Sequence, residues 1–155
     1  MLVCERRTEE LFATVACAWV SPDRRQATVA LAGHPPPLLL RADRVSVVDV
    51  PHGPALGIDV AGDGQWPSGT LALERPWMLL CYTDGLVEGR QEPGSAERFG
   101  IERLAATVTT LTSQRAAPEE LLDRLLEVVE TANGGQLSDD VAIVCLSASN
   151  PGGRG

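Results

Sequence analysis

Two short acidic motifs stand directly beside apolar runs of the sequence. Thr83-Asp84-Gly85 follows one such run, and Ser138-Asp139-Asp140 precedes another. If the two runs are neighbouring antiparallel strands, the end of the first lies beside the start of the second, and Asp84 and Asp139 emerge at the same edge. Carboxylates that cluster without His or Cys suit a hard cation such as Mg²⁺ or Mn²⁺. The spacing therefore makes a divalent-metal site one interpretation of these motifs.

Ordinary structural roles explain the same residues when each motif is taken alone. Asp-Gly is a common turn dipeptide, and two Asp residues before a strand can belong to a solvated loop. His34, which precedes three prolines, could act as a base, although a lone His at a strand end is more often a packing residue. Glu88 could add a metal ligand or belong to the charged surface, which is the commoner role. No catalytic side chain is assigned from the sequence.

The charge balance and the cysteine spacing exclude several classes of function. The 155 residues carry a net charge of −8, and all 13 basic residues are Arg. An acidic chain does not favour nucleic acid, and the absence of Lys excludes phosphate-loop, Schiff-base and lysine-base chemistry. The Cys and His residues are too far apart for a zinc motif. Cys17, Cys81 and Cys145 stand in apolar runs, which predicts reduced, buried thiols.

The sequence shows no segment of the length and apolarity that would span a membrane, and its start has no apolar leader region. We therefore predict a cytoplasmic protein that does not bind membranes.

Turn residues divide the chain into strands and two amphipathic helices. Apolar residues recur with helical period over 101–111 and 118–132. The runs Trp77–Tyr82 and Val141–Leu146 are apolar at every position, which predicts strands covered on both faces. Early hairpin-like spacing favours antiparallel pairing, so we expect an α+β fold in which two sheets pack together between helices. The predicted strands are 12–20, 26–32, 37–41, 44–50, 70–73, 77–83 and 141–147, with a loop over 51–68.

Five ordered motifs together resemble one family. The sequence resembles the stage II sporulation protein E-like branch of the PPM (type 2C) metal-dependent serine/threonine phosphatases of bacteria, over residues 12–146. The motifs are Ala32-Gly33-His34-Pro35-Pro36-Pro37-Leu38, Gly53-Pro54-Ala55-Leu56-Gly57-Ile58, Leu79-Leu80-Cys81-Tyr82-Thr83-Asp84-Gly85-Leu86-Val87-Glu88, Phe99-Gly100-Ile101-Glu102-Arg103-Leu104 and Ser138-Asp139-Asp140-Val141-Ala142.

The resemblance implies a fold, a cofactor and a reaction. The fold is a four-layer αββα sandwich of two antiparallel sheets flanked by helices. By position, Asp84 and Asp139 match family metal ligands, and Asp140 is a weaker match. The family holds two Mn²⁺ or Mg²⁺ ions, which activate a water that attacks the phosphorus of a phosphoserine or phosphothreonine. Family substrates are phosphorylated regulators similar to anti-anti-sigma factors.

One departure from the family pattern concerns the residues before Phe12. The family's first metal-binding element, an Asp-Gly-containing stretch, precedes the segment that matches Phe12, whereas Met1–Leu11 contain neither Asp nor Gly. We therefore expect a partial phosphatase domain over residues 1–148 that lacks the N-terminal part of the fold, followed by a flexible tail over 149–155. The isolated chain should be weakly active or inactive. A homodimer or a complementing chain could cover the exposed sheet edge. The alternative is a non-catalytic binding module that engages a phosphatase or a sigma-factor regulator.

Overall fold

The computed structural model describes residues 12–42, 44–58, 65–114, 118–137 and 139–149. These residues divide into two compact units, one within 12–36 and 49–73 and the other within 37–48 and 74–149. The segment before Phe12 and the predicted tail beyond residue 149 lie outside the described residues. The elements are β1 Val15–Val20, β2 Gln26–Ala32, β3 Leu38–Arg41, β4 Arg44–Val47, β5 His52–Gly53, β6 Ser68–Ala72, β7 Trp77–Tyr82, α1 Gly85–Glu88, α2 Gly100–Ser113, α3 Pro118–Asn133 and β8 Ile143–Ala148.

The first unit contains a four-stranded sheet with β2 at its centre. The predicted hairpin is confirmed: β1 and β2 are antiparallel, and the turn between them closes where the Ser21 amide donates to the Gln26 carbonyl at 2.9 Å. On its other side β2 pairs with β6 in antiparallel and with the short strand β5 in parallel orientation. The segment predicted to be a loop over 51–68 therefore contains one short strand, and residues 59–64 within it lie outside the described part.

The prediction that Cys17 is buried was wrong. Burial alternates along β1, and Cys17 lies with Val15 and Trp19 on the exposed side of the strand. An apolar run predicts a strand but does not say which face of that strand is covered. β1 pairs only with β2 in the described sheet, so this side of an edge strand receives little cover. Cys81 and Cys145 are half-buried.

The second unit contains the sheet β4-β3-β7-β8, in which every neighbouring pair is antiparallel. Both predicted helices are confirmed, because α2 and α3 form where the apolar period predicts them. They pack on one face of the sheet, since every third or fourth residue of each helix is apolar and buried. The shared core consists of Leu38, Leu40, Leu80, Tyr82, Leu86, Phe99, Leu104, Val108, Leu111, Leu121, Leu125, Val129 and Ala132. No helix among the described residues has the length and apolar composition to cross a bilayer.

An uninterrupted apolar run predicted that both faces of β7 and of β8 are covered, and this prediction is correct for β7 only. In β7, four of the six residues are buried and the other two are half-buried. In β8, Ile143 and Cys145 pack against the helix-side core, whereas Val144 and Leu146 are 56% and 37% exposed. β8 is an edge strand of its sheet, so fewer neighbours surround it than surround β7. The prediction of a fully covered second strand was therefore wrong.

Candidate metal centre

The β7–β8 pair brings the two acidic motifs to the same end of one sheet. Tyr82 is opposite Ile143 at the last position of the ladder. Beyond it, the Thr83 amide donates to the Ala142 carbonyl at 3.0 Å, and the Thr83 hydroxyl accepts from the Ala142 amide at 2.9 Å. These bonds extend the strand contact to the point where Asp84 follows β7 and Asp140 precedes β8.

Asp84 is half-buried and begins the short helix α1, which the sequence did not predict. Its Oδ1 accepts a hydrogen bond from the Gly85 amide at 3.1 Å. Its backbone carbonyl accepts from the amides of Val87 and Glu88, each at 2.9 Å. Within the described part of the chain, Oδ2 of Asp84 accepts no hydrogen bond. The turn therefore fixes the carboxylate through one oxygen and leaves the other available to a ligand.

Gly85 permits a close approach between the two motifs. A Cβ atom at this position would lie 2.6 Å from the Asp140 carbonyl oxygen and 3.3 Å from a methyl group of Val141. The first distance is too short for a stable contact and the second is tight, so a side chain here would push the two segments apart. The Gly of the Thr-Asp-Gly motif is thus required by packing against the Asp140 segment.

A polar pocket of about 280 Å³ opens beside this contact, lined by Gly85, Glu88, Gly89, Leu137 and Asp139. Asp139 is exposed, and its Oδ1 accepts from the Asp140 amide at 2.8 Å. The ionisable groups that line the pocket are two carboxylates. Oxygen donors of this kind fit Mg²⁺ or Mn²⁺ and do not fit the softer metals that prefer sulfur or imidazole.

The structure brings the predicted residues to one end of the β7–β8 pair without forming a complete set of ligands. The described residues contain no group of three His, Cys, Asp or Glu side chains placed to hold one ion. Asp139 and Glu88 both line the pocket. Asp84 and Asp140 are the sequence neighbours of two lining positions, Gly85 and Asp139. The role of Asp84, Asp139 and Asp140 as metal ligands stays a prediction.

Glu88 has a second contact that the sequence did not indicate. Its Oε1 accepts a hydrogen bond from the Arg98 guanidinium, forming an ion pair at the surface. Arg98 lies ten residues further along, after a loop, so only the fold brings the two charges together. By contrast, His34 lies in the first unit, where its Nδ1 is 3.1 Å from the Thr14 hydroxyl.

Comparison with known proteins assigns the family. The model of the family described as Stage II sporulation protein E (SpoIIE) matches residues 1–149. The chain belongs to the SpoIIE family. This confirms the resemblance to SpoIIE-like PPM phosphatases that the five motifs indicated.

One relative is a phosphoserine phosphatase, and the chain matches part of each relative. It is 26% identical over 136 residues to the phosphoserine phosphatase RsbU of Bacillus subtilis, covering 88% of this chain and 39% of that protein. The structure of the RsbU and RsbW domains of Rv1364c from Mycobacterium tuberculosis matches with a TM-score of 0.72 and 26% identity, over 89% of this chain and 37% of that one. The chain thus spans well under half the length of both relatives.

The fold is that of a SpoIIE phosphatase domain. The Mn-presoaked phosphatase domain of SpoIIE from Bacillus subtilis matches with a TM-score of 0.69 and 18% identity, over 99% of this chain and 64% of that domain. The predicted α+β fold class, with two sheets and helices, is confirmed by this likeness and by the described elements.

Proposed function

We propose that the chain contributes to a metal-dependent protein serine/threonine phosphatase, which hydrolyses a phosphoserine or phosphothreonine on a regulatory protein. The observation that carries the proposal is the position of Asp84 and Asp139 at the same end of the β7–β8 pair, in a chain of the SpoIIE family. The RsbU relative, a phosphoserine phosphatase, supports the reaction. The neighbour that contains both RsbU and RsbW domains supports a protein partner.

The residues at this edge would hold Mn²⁺ or Mg²⁺ by their carboxylates. Asp84 offers Oδ2 from a turn fixed by the Gly85 amide, and Asp139 offers its carboxylate from the wall of the pocket. The Thr83 hydroxyl holds the Asp140 carbonyl at 2.9 Å and so fixes the backbone that carries the second motif. A divalent ion bound here supplies electrostatic stabilisation of a phosphoryl group and lowers the pKa of a coordinated water.

Further ligands must complete the site. A hard cation takes six or more oxygen ligands, and the described residues bring together fewer than three acidic side chains. Waters and backbone carbonyls can fill some positions, but carboxylates from outside the described residues, on the same polypeptide or on another chain, would raise affinity most. The chain of residues 1–155 alone should therefore turn over substrate slowly.

The test is phosphate release from a phosphoserine peptide by the 155-residue chain across a series of Mn²⁺ concentrations. We expect slow release that requires Mn²⁺ and is lost in Asp84→Asn. Asp123→Asn, on the exposed side of α3, removes the same charge elsewhere and should leave the rate unchanged. Release that persists in Asp84→Asn would contradict the proposal, and release that is absent at every Mn²⁺ concentration would favour the non-catalytic alternative described next. Fast turnover that requires Asp84 would instead contradict the need for further ligands.

The second candidate is a non-catalytic module that binds a phosphatase or a sigma-factor regulator. The small number of acidic side chains brought together at the edge favours it. A module of this kind would bind the phosphopeptide without releasing phosphate, and substitution of Asp84 would not change that binding. The two candidates are therefore separated by the same substitution.

A further inference from the structure

The loop between α1 and α2 carries two arginines that lie side by side. Arg90 and Arg98 are opposite each other in an isolated antiparallel bridge. Side chains of directly opposite residues project from the same face of such a pair, with their Cβ atoms about 5 Å apart. Two guanidinium groups in this arrangement repel each other unless anions lie close by.

One of the two positive charges is neutralised within the protein. Arg98 pairs with Glu88, although its side chain is 69% exposed. In the described part of the chain, the guanidinium of Arg90 forms neither an ion pair nor a hydrogen bond. Arg90 is therefore the cation at this bridge that is left to bind a second anion.

Arg90 lines an open pocket next to the candidate metal centre. The pocket has a volume of about 320 Å³ and is lined by Glu88, Arg90, Gly94, Ser95, Ala96, Glu97 and Arg98. Glu88 also lines the pocket that contains Asp139, so the two pockets share this side chain. A peptide whose phosphorylated residue occupied the Asp139 pocket would have the Arg90 pocket within reach of its neighbouring residues.

Backbone hydrogen bonds hold the loop in its shape. The Arg90 amide donates to the Asn133 side-chain oxygen at 3.0 Å, which ties the loop to the end of α3. The Gln91 amide donates to the Glu97 carbonyl at 2.8 Å, and the Phe99 amide donates to the Gly89 carbonyl at 2.6 Å. Because these contacts fix the loop before a ligand arrives, little ordering entropy opposes binding.

We propose that the Arg90 pocket docks the segment of the phosphoprotein next to its phosphorylated residue, and that Arg90 binds one acidic side chain of that segment. The inference rests on the proposed function and names a specificity residue for it. Arg binds a carboxylate through two parallel hydrogen bonds, which favours a fixed position of the acidic residue relative to the phosphate. Glu97 lines the same pocket and disfavours a second acidic residue there.

The test measures binding without turnover. Fluorescein-labelled phosphoserine peptides of neutral sequence carry a single Glu at each of the four positions on either side of the phosphoserine. Their affinity for the 155-residue chain is measured by fluorescence anisotropy at saturating Mn²⁺, over a time short compared with the slow phosphate release, because without a cation the two carboxylates of the Asp139 pocket would repel the phosphate. We expect one position to strengthen binding about two- to fivefold relative to the peptide without Glu, the range for a solvent-exposed Arg–carboxylate pair. Arg90→Glu should remove that gain, and Arg at the same peptide position should restore it.

A matched variant distinguishes a specific effect of Arg90 from a general effect of the protein's charge. Arg44→Glu makes the same charge change at the other end of the sheet, where Arg41 pairs with Trp77, and should leave every affinity unchanged. Equal affinity for all peptides, no binding at all, or an equal effect of Arg44→Glu would overturn the inference. An equal loss for all phosphopeptides in Arg90→Glu would assign Arg90 to the phosphate group and would also overturn it. Since phosphate release and its dependence on Asp84 are measured separately, failure of one result does not decide the other.

Discussion

The Thr83 hydroxyl donates a hydrogen bond of 2.9 Å to the backbone carbonyl of Asp140, 57 residues further along the chain. The same hydroxyl accepts from the Ala142 amide at 2.9 Å. One side chain thus joins the Thr-Asp-Gly motif to the Asp-Asp motif.

Replacement of Thr83 by Val should weaken the contact between the Thr-Asp-Gly and Asp-Asp motifs. Val keeps the shape but removes the hydroxyl's hydrogen bonds; because the Ala142 amide is exposed and water can solvate it, we expect a loss of about 0.5–1.5 kcal/mol of unfolding free energy. Thr83→Ser keeps the hydroxyl and should cost less. Chemical denaturation and Mn²⁺ titration of both variants check this prediction. If Thr83→Val and Thr83→Ser are equally stable and bind Mn²⁺ equally well, the hydroxyl does not join the motifs.

Gly85, in the same motif as Thr83, provides a second test of the contact with the Asp140 segment. In Gly85→Ala the new Cβ would clash with the Asp140 carbonyl oxygen, so the segment before β8 must shift. We expect a loss of about 1–3 kcal/mol in stability and weaker Mn²⁺ binding. Gly94→Ala is the control, because a Cβ there has no neighbour within 4 Å, although its φ of +82° imposes a small strain cost. The prediction fails if the two substitutions have equal effects on Mn²⁺ binding.

The core between α2, α3 and the sheet should respond to truncation as a close-packed interior does. Leu125 is completely buried, and Leu125→Ala removes three carbons from that interior. We expect a loss of about 2–5 kcal/mol in unfolding free energy. Glu127→Ala, on the exposed side of the same helix, should change it by less than about 0.5 kcal/mol. Comparable losses for the two variants would show that α3 does not pack on the sheet as described.

Much of the architecture could be predicted because periodicity reports directly on backbone structure. Helices α2 and α3 repeat their apolar residues at helical spacing, and β1–β2 is marked by turn residues between two apolar runs. Exposure was less predictable: Cys17 and Val144 stand in apolar runs but lie on uncovered faces of edge strands. Cover on a face comes from residues distant in sequence, which local patterns do not contain.

In the candidate site too, features set by strand direction could be predicted, whereas contacts made by the loop could not. Antiparallel neighbours predict that Asp84 and Asp139 lie at one edge, since strand direction alone determines which ends meet. The Glu88–Arg98 pair and the Arg90–Arg98 bridge were not predicted, because a loop without periodicity brings them together. The helix α1 was missed because its four residues are too few to show a helical period.

The thiols should differ in their reaction with an alkylating reagent. Burial raises the pKa of Cys81, and burial together with the nearby Cys81 raises the pKa of Cys145. A raised pKa lowers the thiolate fraction at pH 8, and only the thiolate reacts. In a Cys4→Ser chain we therefore expect exposed Cys17 to react first, and the other two to react only at higher pH or after unfolding. Mass spectrometry of timed iodoacetamide reactions checks the order, and faster labelling of Cys81 or Cys145 than of Cys17 would contradict it.

The central claim is that Asp84 and Asp139 bind the same divalent cation, and Mn²⁺ affinity measured by calorimetry tests it most directly. We expect Asp84→Asn and Asp139→Asn each to weaken binding at least about tenfold, because each removes a charged ligand from one site. The affinity of the double variant should then fall by far less than the product of the two single factors, because once one ligand is removed the second contributes little to the remaining binding. Single substitutions that leave the affinity equal to that of the Asp123→Asn control, or losses that multiply fully in the double variant, would contradict a shared site.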